Sequence, residues 1–123
     1  MTGRKALRHS KPVKVVIEAA GNVSAAIDKR LFAGGVIMMP AAWTTADLGI
    51  KVCDTVDGTY VPLLDRSNGY GTDVSIDAAT ASKAYPLPPF CFAALYIKLW
   101  SHNGSGTNVA QAAERAFTVM LES

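Results

Sequence analysis

The sequence predicts an all-β domain: an antiparallel β-sandwich or jelly roll of about seven to eight strands with a flexible basic N-terminal arm. Three observations predict it. Apolar residues recur at every second position along several short runs, whereas no stretch of a dozen residues holds an apolar stripe at helical spacing. Turn residues separate those runs at short intervals, and no crossover helix of adequate length is available for a βαβ unit. The chain has 123 residues, half of them apolar, which is one domain's worth of core-forming material and needs neither metals nor a disulfide framework.

The elements follow in order. Val13, Val15, Ile17 and Ala19 alternate against Lys14, Val16 and Glu18 in a first strand. Leu31 to Met39 is nearly all apolar and reads as a central strand covered on both faces, ended by Pro40. Leu48 to Asp54 and Thr59 to Leu64 bracket Val56-Asp57-Gly58, a hairpin signal, and Pro62 makes the second arm an edge strand or a bulged one. Asn68-Gly69 and Gly71 turn the chain into Thr72 to Asp77, with Val74 and Ile76 facing in. Ala78 to Pro89 reads as a connection, because Pro86, Pro88 and Pro89 oppose a regular ladder. Phe92 to Ser101 is a strand with Leu95, Ile97 and Leu99 inward, and Glu114 to Leu121 closes the fold with Phe117, Val119 and Leu121 inward. Short helical turns fit Thr44 to Asp47 and Val109 to Arg115.

Charge divides the chain at its start. Arg4, Lys5, Arg8, Lys11 and Lys14 precede the first acid, Glu18, which leaves seven basic residues against ten acidic ones, a net of −3, for the rest. This reads as a basic arm at residues 1–12 before a single β-sandwich domain at 13–123. The run from Leu31 to Trp43 is too short for a membrane span and contains Pro40, and no secretory signal is evident. Cys53 and Cys91 read as packing thiols: Cys91 is in phase with the core face of its strand, and Cys53 lies beside Lys51 on the other face.

Candidates for chemistry are few. His9 lies in the arm, and His102 reads as a solvated strand end before the Asn103-Gly104-Ser105-Gly106 loop. No Cys and His residues have zinc-finger spacing, and Asp54 and Asp57 read as polar ends of a hairpin tip rather than a calcium loop. No serine stands on a strand-to-helix elbow, and no glycine pair opens a helix after a strand. The expectation is a protein that is not an enzyme and has no cofactor or metal. Surface composition is more informative. If Leu95, Ile97 and Leu99 take the core face, Tyr96, Lys98 and Trp100 project from the opposite one, as aromatics around a cation. Such a strip either lies beneath a loop or forms an interface with protein or glycan. Trp43 reads as a core plug at one end of the sandwich.

From Ala19 onward the sequence resembles small β-rich virion structural proteins of tailed bacteriophages and prophages. The most specific stretches are "MPAAWTTADL" at Met39 to Leu48 and "NVAQAAERAFTVML" at Asn108 to Leu121, with "YIKLWSHNGSG" between them. The resemblance covers roughly the last hundred residues and leaves the arm outside it. Trp100, Cys53, Cys91 and the proline-rich "PLPPFCFAAL" depart from the pattern. The resemblance implies a particle component with no catalytic residues: a capsid decoration or cement protein, or a head–tail or tail accessory protein, located in the virion. Its expected partners are other virion proteins, including further copies of itself, with no membrane; nucleic-acid binding through the basic arm is a third, weaker reading. Tyr96, Lys98 and Trp100 would anchor one interface, and Arg4, Lys5, Arg8 and Lys11 would add electrostatic contacts. The alternative is a carbohydrate-binding module for host surface glycan, presenting the same aromatics to sugar rings.

Overall fold

A computed structural model describes residues 10–64, 74–77, 79–88 and 91–123. They form nine strands in two antiparallel sheets, with no α-helix among the described residues. In chain order the strands are β1 (Ser10–Ile17), β2 (Ile27–Asp28), β3 (Gly34–Met38), β4 (Asp47–Cys53), β5 (Val61–Pro62), β6 (Ser75–Ile76), β7 (Ala84–Pro86), β8 (Tyr96–His102) and β9 (Arg115–Glu122). The four-stranded sheet has the order β1-β9-β3-β7, and the five-stranded sheet runs β2-β8-β4-β5 with β6 also paired to β4.

The core is what the two-residue alternation demands. Val15 and Ile17 of β1, Ile37 of β3, and Phe117, Val119 and Leu121 of β9 are buried from one sheet. Ile27, Leu48, Ile50, Ile97 and Leu99 are buried from the other and join the same cluster. Each such aliphatic side chain contributes about 1.5–3 kcal/mol on burial, so these rows carry the fold. Trp43 closes one end as expected, its ring 5.6 Å from that of Phe117 in an edge-to-face contact.

Several expectations are corrected. Strand pairing starts at Ser10, opposite Glu122, so Lys11 belongs to β1 rather than to an arm. The second strand is Gly34–Met38, covered on one face only: Ile37 is buried while Met38 is 44% exposed. Ile27–Asp28 is an additional short strand, and Ala84–Pro86 pairs with β3 despite its proline. Pro86 is tolerated because β7 is the last strand of its sheet. Pro62 sits on the edge strand β5, as its missing N–H predicts. Thr44 to Asp47 and Val109 to Arg115 are not helical. Strand β8 starts at Tyr96, so Phe92 and Leu95 lie in the preceding turn and are exposed. The segment Asn68-Gly69-Tyr70-Gly71 and residues Thr72 and Asp73 lie outside the described residues, as do Arg4, Lys5, Arg8 and His9.

Two sheet positions leave no room for a side chain: at Gly49 a Cβ would press on the buried His102 and Trp100 rings, and Gly35 is the tighter case. Gly35 stands opposite Leu121, and a Cβ there would run into the backbone carbonyl of Met120 on the adjacent strand. Backbone in a central ladder cannot move aside without breaking its hydrogen bonds. Gly35→Ala is therefore expected to destabilise the fold by about 2–3 kcal/mol, read from the urea midpoint at unchanged m-value. An unaltered midpoint would refute the close approach.

Candidate functional site

Strand β8 presents Tyr96, Lys98, Trp100 and His102 away from the core, as the alternation requires, but the aromatics are covered. Trp100 is 2% exposed and Tyr96 9%. Two segments pair along the edge of β8 that faces away from β4 and flank the strip. Val23 bridges to Trp100, with Ser24 N–H donating to the Leu99 carbonyl and Ser101 N–H to that of Asn22. From the other direction the loop after β8 folds back so that Asn108 pairs with His102 and its Oδ1 accepts the Trp100 indole N–H at 2.7 Å. Trp100 then stacks on His102 with ring centroids 4.3 Å apart, and Lys51 Nζ lies 4.6 Å above the indole. Of the two alternatives for the aromatic strip, the covered one holds for its rings, and of its three members Lys98 alone is half-exposed.

His102 is buried, not a solvated strand end. Its Nδ1 accepts the Gly104 N–H at 3.0 Å, and its Nε2 lies 3.1 Å from Ser75 Oγ. Asp47 is its neighbour across the ladder. Serine, histidine and aspartate together resemble a nucleophile set, but the hydrogen bonds run the wrong way. A neutral ring whose Nδ1 accepts carries its proton on Nε2, so Ser75 receives a hydrogen bond and finds no lone pair to take its own proton. The arrangement instead fixes the loop: Gly104 has φ of +89°, which favours glycine, and a Cβ there would crowd the Asp47 carboxylate. Among the described residues no group of three or more His, Cys, Asp or Glu converges as a metal site.

Two buried polar side chains went unnoticed in the sequence. Gln111 is fully buried and makes four hydrogen bonds: its Oε1 accepts from Thr44 N–H and Arg115 Nε, and its Nε2 donates to the Thr44 carbonyl and Ser101 Oγ. Arg115 Nη2 and Ala112 N–H both donate to Thr44 Oγ1. With the Trp43–Phe117 contact, these bonds join the two stretches "MPAAWTTADL" and "NVAQAAERAFTVML" into one packed unit.

Lys29 is the other. Its Nζ donates to the carbonyls of Phe32, Ala33 and Phe92 at 3.0, 3.3 and 3.4 Å, tying the β2–β3 connection to the turn before β8. Burial lowers the Lys29 pKa, and burial raises that of Cys91 against the opposing pull of the nearby Lys29 charge. Both cysteines are free thiols. An open, mostly apolar groove of about 600 Å³ lies between β4–β5 and this turn, lined by Val52, Val61, Leu63 and Leu95 with Cys53 and Thr59 among its polar groups.

Exposed apolar side chains lie at that groove, where Val61 and Leu95 are open, and also on the four-stranded sheet. Across β1, β9, β3 and β7 the ladder aligns Pro12, Met120, Val36 and Pro86 in one row, with the mixed row Lys14, Thr118, Met38 and Ala84 next to it. Met120 is 41% exposed, so this row faces solvent.

Two facing antiparallel sheets with covered aromatics and an open apolar face define a small all-β sandwich. No known family pattern matches the chain, and no curated protein matches it in sequence. In fold it is similar to the SPBc2 prophage-derived protein YomS, whose crystal structure aligns with a TM-score of 0.55 at 10% identity, covering 98% of this chain and 100% of that one. At that identity the likeness is one of fold.

Proposed function

We propose that the chain is a non-enzymatic structural subunit, jelly-roll-like in architecture, of a tailed-phage particle, either capsid decoration or cement, or a head–tail or tail accessory. Its mechanism is adhesion to other virion proteins and to further copies of itself. The observation that carries the reading is the open apolar row Pro12, Met120, Val36 and Pro86 on a sandwich whose fold is shared by a prophage-derived protein. A row of this kind is a contact surface of modest strength, which an assembly multiplies through avidity. Arg4, Lys5 and Arg8, with Lys11 at the start of β1, add positive charge for an acidic neighbour.

The glycan reading loses its main support, because the aromatic rings that would stack on sugars are buried or covered by Arg30, Lys51 and Lys98. Mass spectrometry of purified particles tests the adhesive reading directly. The chain is expected at stoichiometric copy number, in the hundreds on a capsid or about a dozen at the portal or tail, and its absence would overturn the proposal. A Met38→Lys/Met120→Lys double variant is expected to lose at least about tenfold in particle occupancy while its stability changes by less than about 1 kcal/mol. Wild-type occupancy would remove this face as the contact.

A further inference from the structure

We infer that the outer edge of β1 joins two copies of this chain: it pairs antiparallel with β1 of a second copy about a two-fold axis at Val16, with Lys14 of each copy opposite Glu18 of the other. The inference rests on the adhesive reading and specifies how copies meet. Among the described strands, β2, β5, β6 and β7 end their sheets with only two or three residues each, and β5 and β7 carry Pro62 and Pro86 there. Such edges are blunted against further pairing. Strand β1 differs. It has eight residues, with β9 along one side and no strand among the described residues along the other. Alternate N–H and C=O groups of an edge strand point away from its neighbour, where an added strand can take them. Lys11 and Pro12 obstruct the start of β1, so the open part begins at Val13.

The side chains identify the added strand as β1 itself. Residues opposed in a ladder share a face, so a two-fold pairing that sets inner against inner and outer against outer must centre on a residue rather than between two. Centred on Lys14, it would oppose that ammonium to its own copy; centred on Val15, it would oppose Lys14 to Val16. Centred on Val16, it sets Lys14 against Glu18 in both directions, Val15 against Ile17 on the inner side and Val16 against its own copy on the outer side. No other centre within the strand matches the two charges. Opposite charges directly across a ladder stabilise it, and like charges weaken it. Both residues are exposed, and neither has an ion-pair partner among the described residues. Lys14 donates to Thr118 Oγ1 at 3.2 Å and has protons to spare, and Glu18 accepts the Gly21 N–H through its carbonyl, which leaves the carboxylate available and ends the ladder there. The pairing closes on itself, because the joined sheet ends at both sides in the short, proline-bearing β7.

Sedimentation equilibrium of the intact chain from about 10 μM to about 1 mM tests the pairing, and a monomer–dimer equilibrium is expected. Lys14→Glu and Glu18→Lys each set like charges across the two-fold and are expected to weaken the dimer by about tenfold or more. Their urea midpoints are expected to stay close to that of the wild type, since both residues are exposed. Mixing the two single variants restores both opposite-charge pairs, so the mixture is expected to dimerise where neither variant does alone. If a charge-reversed chain does not fold, Glu18→Gln takes its place and is expected to weaken the dimer and flatten its salt dependence. A wild type that stays monomeric over the whole range, single variants that dimerise as the wild type does, or a mixture no better than its components would overturn the inference. A monomeric chain found in purified particles defeats this edge pairing alone. A dimer absent from particles defeats the adhesive reading alone.

Discussion

Trp100→Ala is expected to lower the free energy of unfolding by about 3–5 kcal/mol. The indole fills the space between β8 and its two flanking segments, stacks on His102, supports the Lys51 ammonium and satisfies Asn108 through its N–H. Truncation removes all four contacts at once and leaves a void that the 22–24 and 107–109 segments cannot fill without giving up their bridges to β8. Set against a typical total of about 5–15 kcal/mol, the loss is a large share of the stability. Urea unfolding followed by far-UV circular dichroism measures it. Trp100→Phe keeps a stacked ring but loses the N–H donor, and Asn108 is exposed enough to find water, so a loss of about 1–2 kcal/mol is expected. A Trp100→Ala chain with the wild-type midpoint would show that the ring is not load-sharing in the fold.

Gln111→Leu is the second large effect, at about 3–5 kcal/mol. Leucine matches the volume and adds apolar surface, so the whole cost comes from polar groups left behind. The buried Ser101 hydroxyl and the half-buried Thr44 amide and carbonyl lose a partner, whereas Arg115 keeps its bond to Thr44 Oγ1. Hydrogen exchange adds a site-specific readout: the Thr44 amide is expected to lose its protection in the variant, and retained protection would mean that another acceptor takes over.

These two positions show where reading the sequence stops. Rows of alternating residues with one buried face were legible because every member repeats the same message: Val13, Val15 and Ile17 in β1, Phe117, Val119 and Leu121 in β9. The outer row of β8 is legible as to its face, while the sequence leaves open whether it is covered or exposed. Nothing local to Tyr96 or Trp100 encodes the flanking segments, which come with Val23 and Asn108, brought there by long-range pairing. Leu95 followed the strand rhythm on paper, yet the carbonyl clamp of Lys29 on Phe92 holds its neighbours in a turn. Lys29 and Gln111 carry no periodic signal at all, since a single buried polar residue is defined by its partners, not by its neighbours in sequence. Of the interface residues expected from the sequence, Lys98 is half-exposed on the outer face of β8, whereas Tyr96 and Trp100 are buried beneath Arg30 and Lys51.

Strand β9 lies between β1 and β3, in full register with β1 from Ser10 opposite Glu122 to Ile17 opposite Arg115. A ribosome therefore emits β1 and β3 long before the strand that joins them exists. Strand β3 can pair with β7 earlier, but β1 has no partner in its sheet until β9 has emerged. Pairings of such sequence separation place the chain among slow folders, on the order of milliseconds to seconds, with its earliest-made strand waiting on one of its latest.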